Sequence, residues 1–159
     1  MNTEIDAFKI YFFEYLKTLP KTSYEAFWIQ FIETLGFTYV RVTENLNKNQ
    51  LTLEGIINLG IVVQYFYFLV ELERSALPID LIKTIRDKAR DYVHKGLLIS
   101  LKTFNREVKK QAKRKGQLPI DLIDGDNLIG RLVQLRLGVV LNEKKLCIDK
   151  EWFNALEQN

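Results

Sequence analysis

The chain has a single cysteine, Cys147, and a single histidine, His94. One cysteine excludes an internal disulfide framework and a cysteine-rich zinc site. One histidine excludes histidine-rich zinc chemistry and disfavours a Ser-His-Asp triad. Metal chemistry would therefore have to use carboxylates, which favour hard cations such as magnesium.

Proline and glycine are also scarce, at three and eight residues, so the chain is neither collagen-like nor proline-rich. The glycine patterns of a P-loop, a dinucleotide-binding turn and a hydrolase nucleophile elbow are all absent. The longest uncharged run, residues 55–70, has 16 residues, fewer than the ~20 that span a membrane. The chain starts Met-Asn-Thr-Glu, without the basic lead of a signal peptide. We expect a cytoplasmic protein with no membrane segment.

What the chain has instead is a composition that supports a packed core. Hydrophobic residues make up 47% of its 159 residues, and 19 residues are aromatic. This length predicts one compact domain, in which residues 1–19 add a helix to a main body of residues 20–159.

The charge is unevenly distributed. The net charge is only +3, but seven bases and one acid lie between Lys102 and Lys115. Such a basic patch on a mildly acidic body predicts a polyanionic partner. The alternative is a helix face whose charges serve only solubility.

Hydrophobic periodicity predicts two helices and three strands, followed by alternating helices and strands. This order predicts an α/β fold with a mixed sheet between helical layers. The predicted helices are 4–18, 22–36, 78–95, 104–115 (capped by Thr103), 125–137 and 150–156. The predicted strands are 37–43, 52–58, 62–72, 97–101, 119–124 and 145–148. The helix over 78–95 is expected to stop at Gly96, and His94 is expected to complement its dipole.

Three glutamates stand in apolar surroundings. Glu54 interrupts the run from Leu51 to Ile57, and Glu71 and Glu73 close the longest apolar strand. Because residues i and i+2 of a strand share a face, Glu71 and Glu73 are expected about 7 Å apart. Two such charges repel unless a cation lies between them, which predicts a magnesium site if Glu54 joins them from the next strand. The alternative is that Glu71 and Glu73 lie at the end of the strand in contact with solvent and bind no metal.

Several segments resemble the catalytic domain of Mrr-type restriction endonucleases, a family of the PD-(D/E)-x-K nuclease superfamily. The most specific are Gly96–Phe104, the following basic helix, Ile120–Leu128 with its Leu-Ile-Asp-Gly turn, and Leu137–Val139. Residues 144–153 fit the closing strand and helix of that family. Upstream, Tyr24-Glu25, Leu35-Gly36-Phe37, Glu54-Gly55-Ile56-Ile57 and residues 68–74 (FLVELER) match more loosely.

The resemblance implies a three-layer α/β/α restriction-endonuclease-like fold and magnesium- or manganese-dependent hydrolysis of double-stranded DNA. By position, Glu54 stands for the metal-binding Asp, Glu71 for the second metal ligand, and Glu25 for the acid of the first family helix. The basic helix is the expected DNA contact, through Lys102, Arg106, Lys109, Lys110 and Lys113. The implied partners also include a second copy of the chain or a separate recognition subunit.

One departure from the family pattern leaves two interpretations open. Glu73 occupies the place of the catalytic Lys, which orients the attacking water and stabilises charge at phosphorus. Either Glu73 works as a catalytic carboxylate, helped by a lysine such as Lys83 or Lys88, or the domain is an inactive homologue that binds DNA or assembles with a partner. The glycine-rich segment that usually precedes the metal-binding Asp is also missing, and residues 47–53 replace it.

Overall fold

A computed structural model describes residues 3–73 and 75–157 of the chain. Within these ranges it has six helices and seven strands. In chain order they are α1 (Thr3–Thr18), α2 (Lys21–Thr34), β1 (Thr38–Leu46), β2 (Gln50–Leu59), β3 (Val62–Glu71), α3 (Pro78–Lys88), β4 (Lys95–Ser100), α4 (Arg106–Ala112), β5 (Ile120–Ile123), α5 (Gly125–Leu135), β6 (Val139–Asn142), β7 (Lys145–Ile148) and α6 (Lys150–Glu157).

Five strands form one mixed sheet in the order β1-β2-β3-β4-β5. The first three are antiparallel neighbours, whereas β3, β4 and β5 run parallel. The parallel strands are joined by α3 and α4, because a parallel connection needs a crossover. β6 and β7 form a separate hairpin. The predicted mixed sheet is therefore confirmed.

One face of the sheet is covered by α1, α2, α5 and α6. Its core is aromatic, with Phe12, Phe27, Trp28 and Phe153 fully buried and their rings 4.9–6.2 Å apart. Burying a side chain of this size contributes about 1.5–3 kcal/mol. Helix α1 contributes to this core directly, so it packs on the main body.

The other face is covered by α3 and α4. Along β3, Phe66 and Phe68 point to the aromatic core, whereas Tyr67 and Leu69 point to the α3–α4 layer. Because a strand that is buried on both faces needs apolar side chains at every position, its sequence is a continuous apolar run. This explains why much of residues 55–70 is uncharged. The three-layer α/β/α architecture is confirmed.

The largest boundary error concerns the end of α3, which lies at Lys88 rather than near residue 95. Gly96 does not stop a helix but lies in β4, where a Cβ would come 2.8 Å from Ile85 of α3. The absent side chain therefore lets helix and strand approach closely. His94 does not cap a helix either, since its backbone N–H donates to the Tyr65 carbonyl and its Nδ1 accepts from the Tyr65 N–H.

Two smaller differences lie further along the chain. Helix α4 is capped by Asn105, whose Oδ1 accepts from the Val108 N–H at 2.9 Å, and not by Thr103. Strand β6 was not predicted, because Val139 is its only buried residue and the alternation is too short to detect. No helix of the described ranges has the length and apolar character needed to cross a membrane.

Gly138 tests the packing between the β6–β7 hairpin and α6. Its φ is +78°, and a Cβ would lie 2.6 Å from the Phe153 ring. We expect Gly138→Ala to lower the free energy of unfolding by about 2 kcal/mol, measured by urea denaturation. Gly130→Ala is the matched control, because that helical glycine has nothing within 4 Å and should gain up to about 1 kcal/mol. Equal effects of the two changes would contradict this packing.

Candidate active-site edge

Three neighbouring strands bring polar residues to one edge of the sheet. Gln50, the first residue of β2, pairs with Glu71, the last residue of β3, and Glu71 pairs in turn with Ser100 of β4. Paired residues of adjacent strands share a face, so the three side chains point toward the α3–α4 side. We call the group formed by these three residues and Glu73, which lies two residues after Glu71, the Glu71 edge.

Glu71 is the buried acid of this edge, with 3% of its surface exposed. Its Oε1 accepts a hydrogen bond of 3.0 Å from the Glu73 N–H. Burial raises the pKa of the Glu71 carboxyl, and hydrogen bonds from the Glu73 N–H and the Gln50 amide oppose part of that rise. The edge thus holds a carboxyl group whose charge is costly to keep in the folded protein.

Glu73 lies beyond the end of β3 and is half-exposed. Its Oε1 is 3.8 Å from the Nζ of Lys17 at the end of α1. The Glu73 backbone thus contacts the Glu71 carboxylate, but Glu73 lies beyond the strand on which both residues were predicted, and a lysine lies close to Glu73. That lysine comes from α1, which the sequence analysis did not consider. Arg74, the last residue of the matching motif, lies outside the described residues.

A basic cavity lies next to this edge, with a volume of about 400 Å³. It is lined by Lys17, Lys21, Asn45, Asn47 and Lys48. Lys48 closes the end of α1, because its Nζ donates to the Lys17 and Leu19 carbonyls. The Tyr24 hydroxyl donates to the Lys48 carbonyl at 3.2 Å and thereby ties α2 to the same turn.

Glu54 is not part of the Glu71 edge. The β2–β3 register places it opposite Tyr67, four positions along the strand from the Gln50–Glu71 pair. At ~3.3 Å per residue this separates the two glutamates by roughly 13 Å along the strand. Glu54 lies instead in a cleft of about 590 Å³ between β1, β2 and the segment that follows α3.

In that cleft Glu54 already has partners. Its Oε2 accepts from Arg41 at 2.9 Å and from the Tyr92 hydroxyl at 2.6 Å. Lys88, one of the lysines considered as a substitute, forms an ion pair of 3.1 Å with Glu44 in the same cleft. Lys83 lines a different cavity, between α3 and α4. The expected cluster of Glu54 with Glu71 and Glu73 is therefore not formed.

A divalent cation does not fit the Glu71 edge well. Across residues 3–73 and 75–157, no group of three acid, histidine or cysteine side chains is positioned to hold a metal ion. The residue opposite Glu71 is Gln50, which offers only a neutral amide oxygen, so Glu71 and Glu73 are the two carboxylates of this edge. Glu54, which carries the sequence likeness to the metal-binding Asp, lies opposite Tyr67 and not opposite Glu71.

Glu25 lies on α2, next to Tyr24, and is half-buried. Among the described residues, its side chain takes part in no hydrogen bond and no ion pair. The structure therefore gives it no contact with the Glu71 edge, and its predicted role in orienting water stays a prediction.

The basic residues predicted to contact DNA are at the surface. Arg106, Lys109, Lys110 and Lys113 are exposed, and Lys102 is half-exposed. None of the five forms an ion pair within the described ranges. Because α4 follows β4, its first turn starts at the sheet edge that holds Glu71 and Ser100. Their DNA contact stays a prediction.

Two solved structures have the same fold as this chain. The MspJI restriction endonuclease in complex with a 27-mer oligonucleotide is 13% identical, with a TM-score of 0.50 over 81% of this chain and 32% of its own. AspBHI, a DNA modification-dependent restriction endonuclease, is 14% identical, with a TM-score of 0.55 over 99% of this chain and 41% of its own. The fold is that of the restriction endonucleases, and the chain spans about a third to two fifths of these two proteins.

Sequence comparison identifies the family. The model of the Mrr catalytic domain, described as a restriction endonuclease, matches residues 16–132. This match covers most of the chain, which therefore belongs to the Mrr-type restriction endonuclease catalytic domains. Enzymes of this family generally use divalent metal ions. No curated protein matches the chain.

The cost of the Glu71 charge can be measured with Glu71→Gln. Below the ordinary glutamate pKa the carboxyl is protonated in both folded and unfolded chains, so burial carries no ionic cost there. The cost grows as the pH rises through the raised folded pKa. We expect Glu71→Gln to raise the melting temperature by a few degrees at pH 7 and to lose this advantage by about pH 4.

Thermal melts monitored by circular dichroism would measure this difference. Glu33→Gln is the matched control, because Glu33 is exposed on α2 and its replacement should have little effect at either pH. A lower melting temperature for Glu71→Gln at pH 7 would contradict the prediction, since its neighbours would then stabilise the charge.

Proposed function

We propose that this domain is a nuclease-fold module that binds double-stranded DNA without hydrolysing it. The observation that carries the proposal is the composition of the Glu71 edge, where Gln50 lies opposite Glu71 and Glu73 follows it. Glu73 stands in place of the family's lysine, and Gln50 puts a neutral amide opposite Glu71 where the adjacent strand could supply a carboxylate; both features act against cleavage.

The first feature is the lack of a carboxylate opposite Glu71. Hydrolysis of a phosphodiester with Mg²⁺ needs carboxylates to hold the ion that polarises the phosphate and activates water. Gln50 offers one neutral oxygen and an amide that engages Glu71. Glu71 itself is buried and has a raised pKa, so holding it ionised costs free energy.

The second change reverses a charge. A lysine beside the metal stabilises the negative charge that develops at phosphorus, whereas a glutamate repels both that charge and an incoming hydroxide. Lys17 lies 3.8 Å from Glu73 and offsets part of its charge. An ion pair of this kind leaves little net positive charge for a phosphate.

DNA binding is supported by the bases around the same edge. Lys102 and Arg106 follow β4, and Lys17, Lys21 and Lys48 lie on the other side of Glu71. Phosphate contacts of such side chains supply most nonspecific DNA affinity. The solved MspJI structure is likewise a complex with an oligonucleotide. By this proposal the protein is cytoplasmic, and a second copy or a separate subunit supplies sequence recognition.

Metal-dependent hydrolysis of DNA is the second candidate function. It is favoured by the closeness of Glu71, Glu73 and the Lys17 ammonium, since two carboxylates and a lysine are the groups that such a reaction uses. In that case magnesium or manganese would be held by Glu71 and Glu73.

Plasmid nicking distinguishes the two candidates. With Mg²⁺ or Mn²⁺, we expect no metal-dependent nicking of supercoiled DNA by the wild-type chain. Gln50→Asp combined with Glu73→Lys restores a carboxylate and a lysine beside Glu71, and we expect weak nicking to appear. Nicking by the wild type that Glu71→Ala abolishes would contradict the proposal and establish hydrolysis.

DNA binding is tested by charge reversal on α4. We expect Lys110→Glu with Lys113→Glu to weaken duplex binding at least tenfold and to reduce the salt slope of binding by about 1 per lysine, measured by fluorescence anisotropy. Lys144→Glu with Lys150→Glu is the matched control, because it changes the net charge equally from exposed sites outside α4. Equal losses in both pairs would show that net charge, and not this surface, determines binding.

A further inference from the structure

The β2–β3 hairpin extends beyond the rest of the sheet. Pairing of β1 with β2 reaches only Ile56, and pairing of β4 with β3 begins at Phe66. The two hairpin strands nevertheless remain paired as far as Leu59 and Val62. Residues 57–64 therefore form a two-stranded ribbon with no strand on either side, which we call the hairpin arm.

The surface of the hairpin arm is unusually apolar. Ile61 at its tip is fully exposed, and Leu59 and Val62 are 56% and 50% exposed. Leu59 and Val62 face one side of the ribbon, whereas Val63 faces the other side, so both faces are apolar. The arm carries no charged residue, and none occurs anywhere in residues 55–70.

A ribbon of this kind is poorly suited to stand alone in water. Isolated two-stranded hairpins are marginally stable, and an open strand edge presents unpaired backbone groups that favour pairing with another strand. The outer edge of β2 is open at residues 57–59, and that of β3 is open at residues 62–64. The arm therefore needs a partner that supplies both apolar surface and a strand.

The exposed area is sufficient for a dimer. Tyr39 and Tyr65, at the base of the arm, are 84% and 39% exposed. With the arm they present on the order of 700 Å² of mainly apolar surface, counted over both faces of the ribbon. A standard interface buries about 800 Å² from each partner.

We infer that the hairpin arm is a homodimer interface, at which it pairs with the arm of a second copy of the chain. An arm of identical length supplies the strand that an open edge lacks, and antiparallel pairing about a two-fold axis satisfies the same edge in both copies at once. Self-association of a charged patch would be opposed by repulsion between like charges, whereas this arm has no charge to repel its copy. The absence of bases also argues against DNA as the partner of the arm.

The inference is tested by the mass of the full-length chain in solution. We expect analytical ultracentrifugation at about 100 μM to show a dimer that persists or strengthens as salt is raised, because apolar contacts are not screened. Ile61→Lys combined with Leu59→Lys should convert it to a monomer with an unchanged circular dichroism spectrum. Leu141→Lys is the matched control, because Leu141 is a similarly exposed leucine (59%) on the separate β6–β7 hairpin, and it should leave the dimer intact.

Two results would overturn the inference. One is a wild-type chain that stays monomeric at that concentration. The other is a dimer that the arm double variant retains or that Leu141→Lys dissociates. Loss of the dimer with unchanged duplex binding would support the interface independently of the proposed function. If the arm variants lost DNA binding while the wild type was monomeric, the arm would contact DNA instead, which would likewise overturn the inference.

Discussion

The antiparallel register between β2 and β3 is the constraint on which the rest of the structure depends. Ten consecutive residue pairs join the two strands, from Gln50–Glu71 to Leu59–Val62. They determine toward which face of the sheet each side chain points and how far along the strands it lies. Because the side-chain period of a strand is two, this register sends Phe66 and Phe68 into the aromatic core and Tyr67 and Leu69 under α3. It also determines which polar residues meet at the carboxyl end of the parallel strands, and how far the hairpin extends beyond its neighbours.

By the proposed function, this chain keeps the fold of its family without the chemistry, and the same register is the reason. The fold requires apolar layers on both faces of the sheet, and the sequence keeps them throughout. Metal-dependent hydrolysis requires two carboxylates and a lysine next to one another at one end of the strands. At that end of β2 and β3 the chain has Gln50, Glu71 and Glu73. A fold is supported by many interchangeable apolar contacts, whereas a metal centre depends on a few specific donors, so the second can be lost while the first is retained.

Electrostatics at the Glu71 edge follow from how α1 ends. Lys48 donates to the last carbonyls of α1, and Lys17 projects from that helix toward Glu73. Two lysines thus reach the edge from segments that are more than 30 residues apart in sequence. Lys102 and Arg106 follow β4 in sequence, and by the proposed function these bases would contact a phosphate backbone.

The order of the elements except β6, the mixed sheet and its two helical layers could be predicted from the sequence, because hydrophobic periodicity and turn residues report local geometry. Its errors came where tertiary contacts override local signals. Gly96 was predicted to end a helix, but it lies in a strand where a side chain would collide with Ile85. His94 was predicted to complement a helix dipole, but it forms hydrogen bonds with Tyr65.

Which acids lie next to each other could not be predicted, because it depends on how the strands pair. The Glu54-Gly55-Ile56-Ile57 motif indicated a place beside Glu71, yet the tight turn at Gly60 and Ile61 fixes the register and sets Glu54 opposite Tyr67, where Arg41 and Tyr92 bind it. Sequence motifs record which residues are present and their spacing along the chain. The pairing of two strands depends on the turn that joins them and on the packing of both faces, so it is a property of the folded chain.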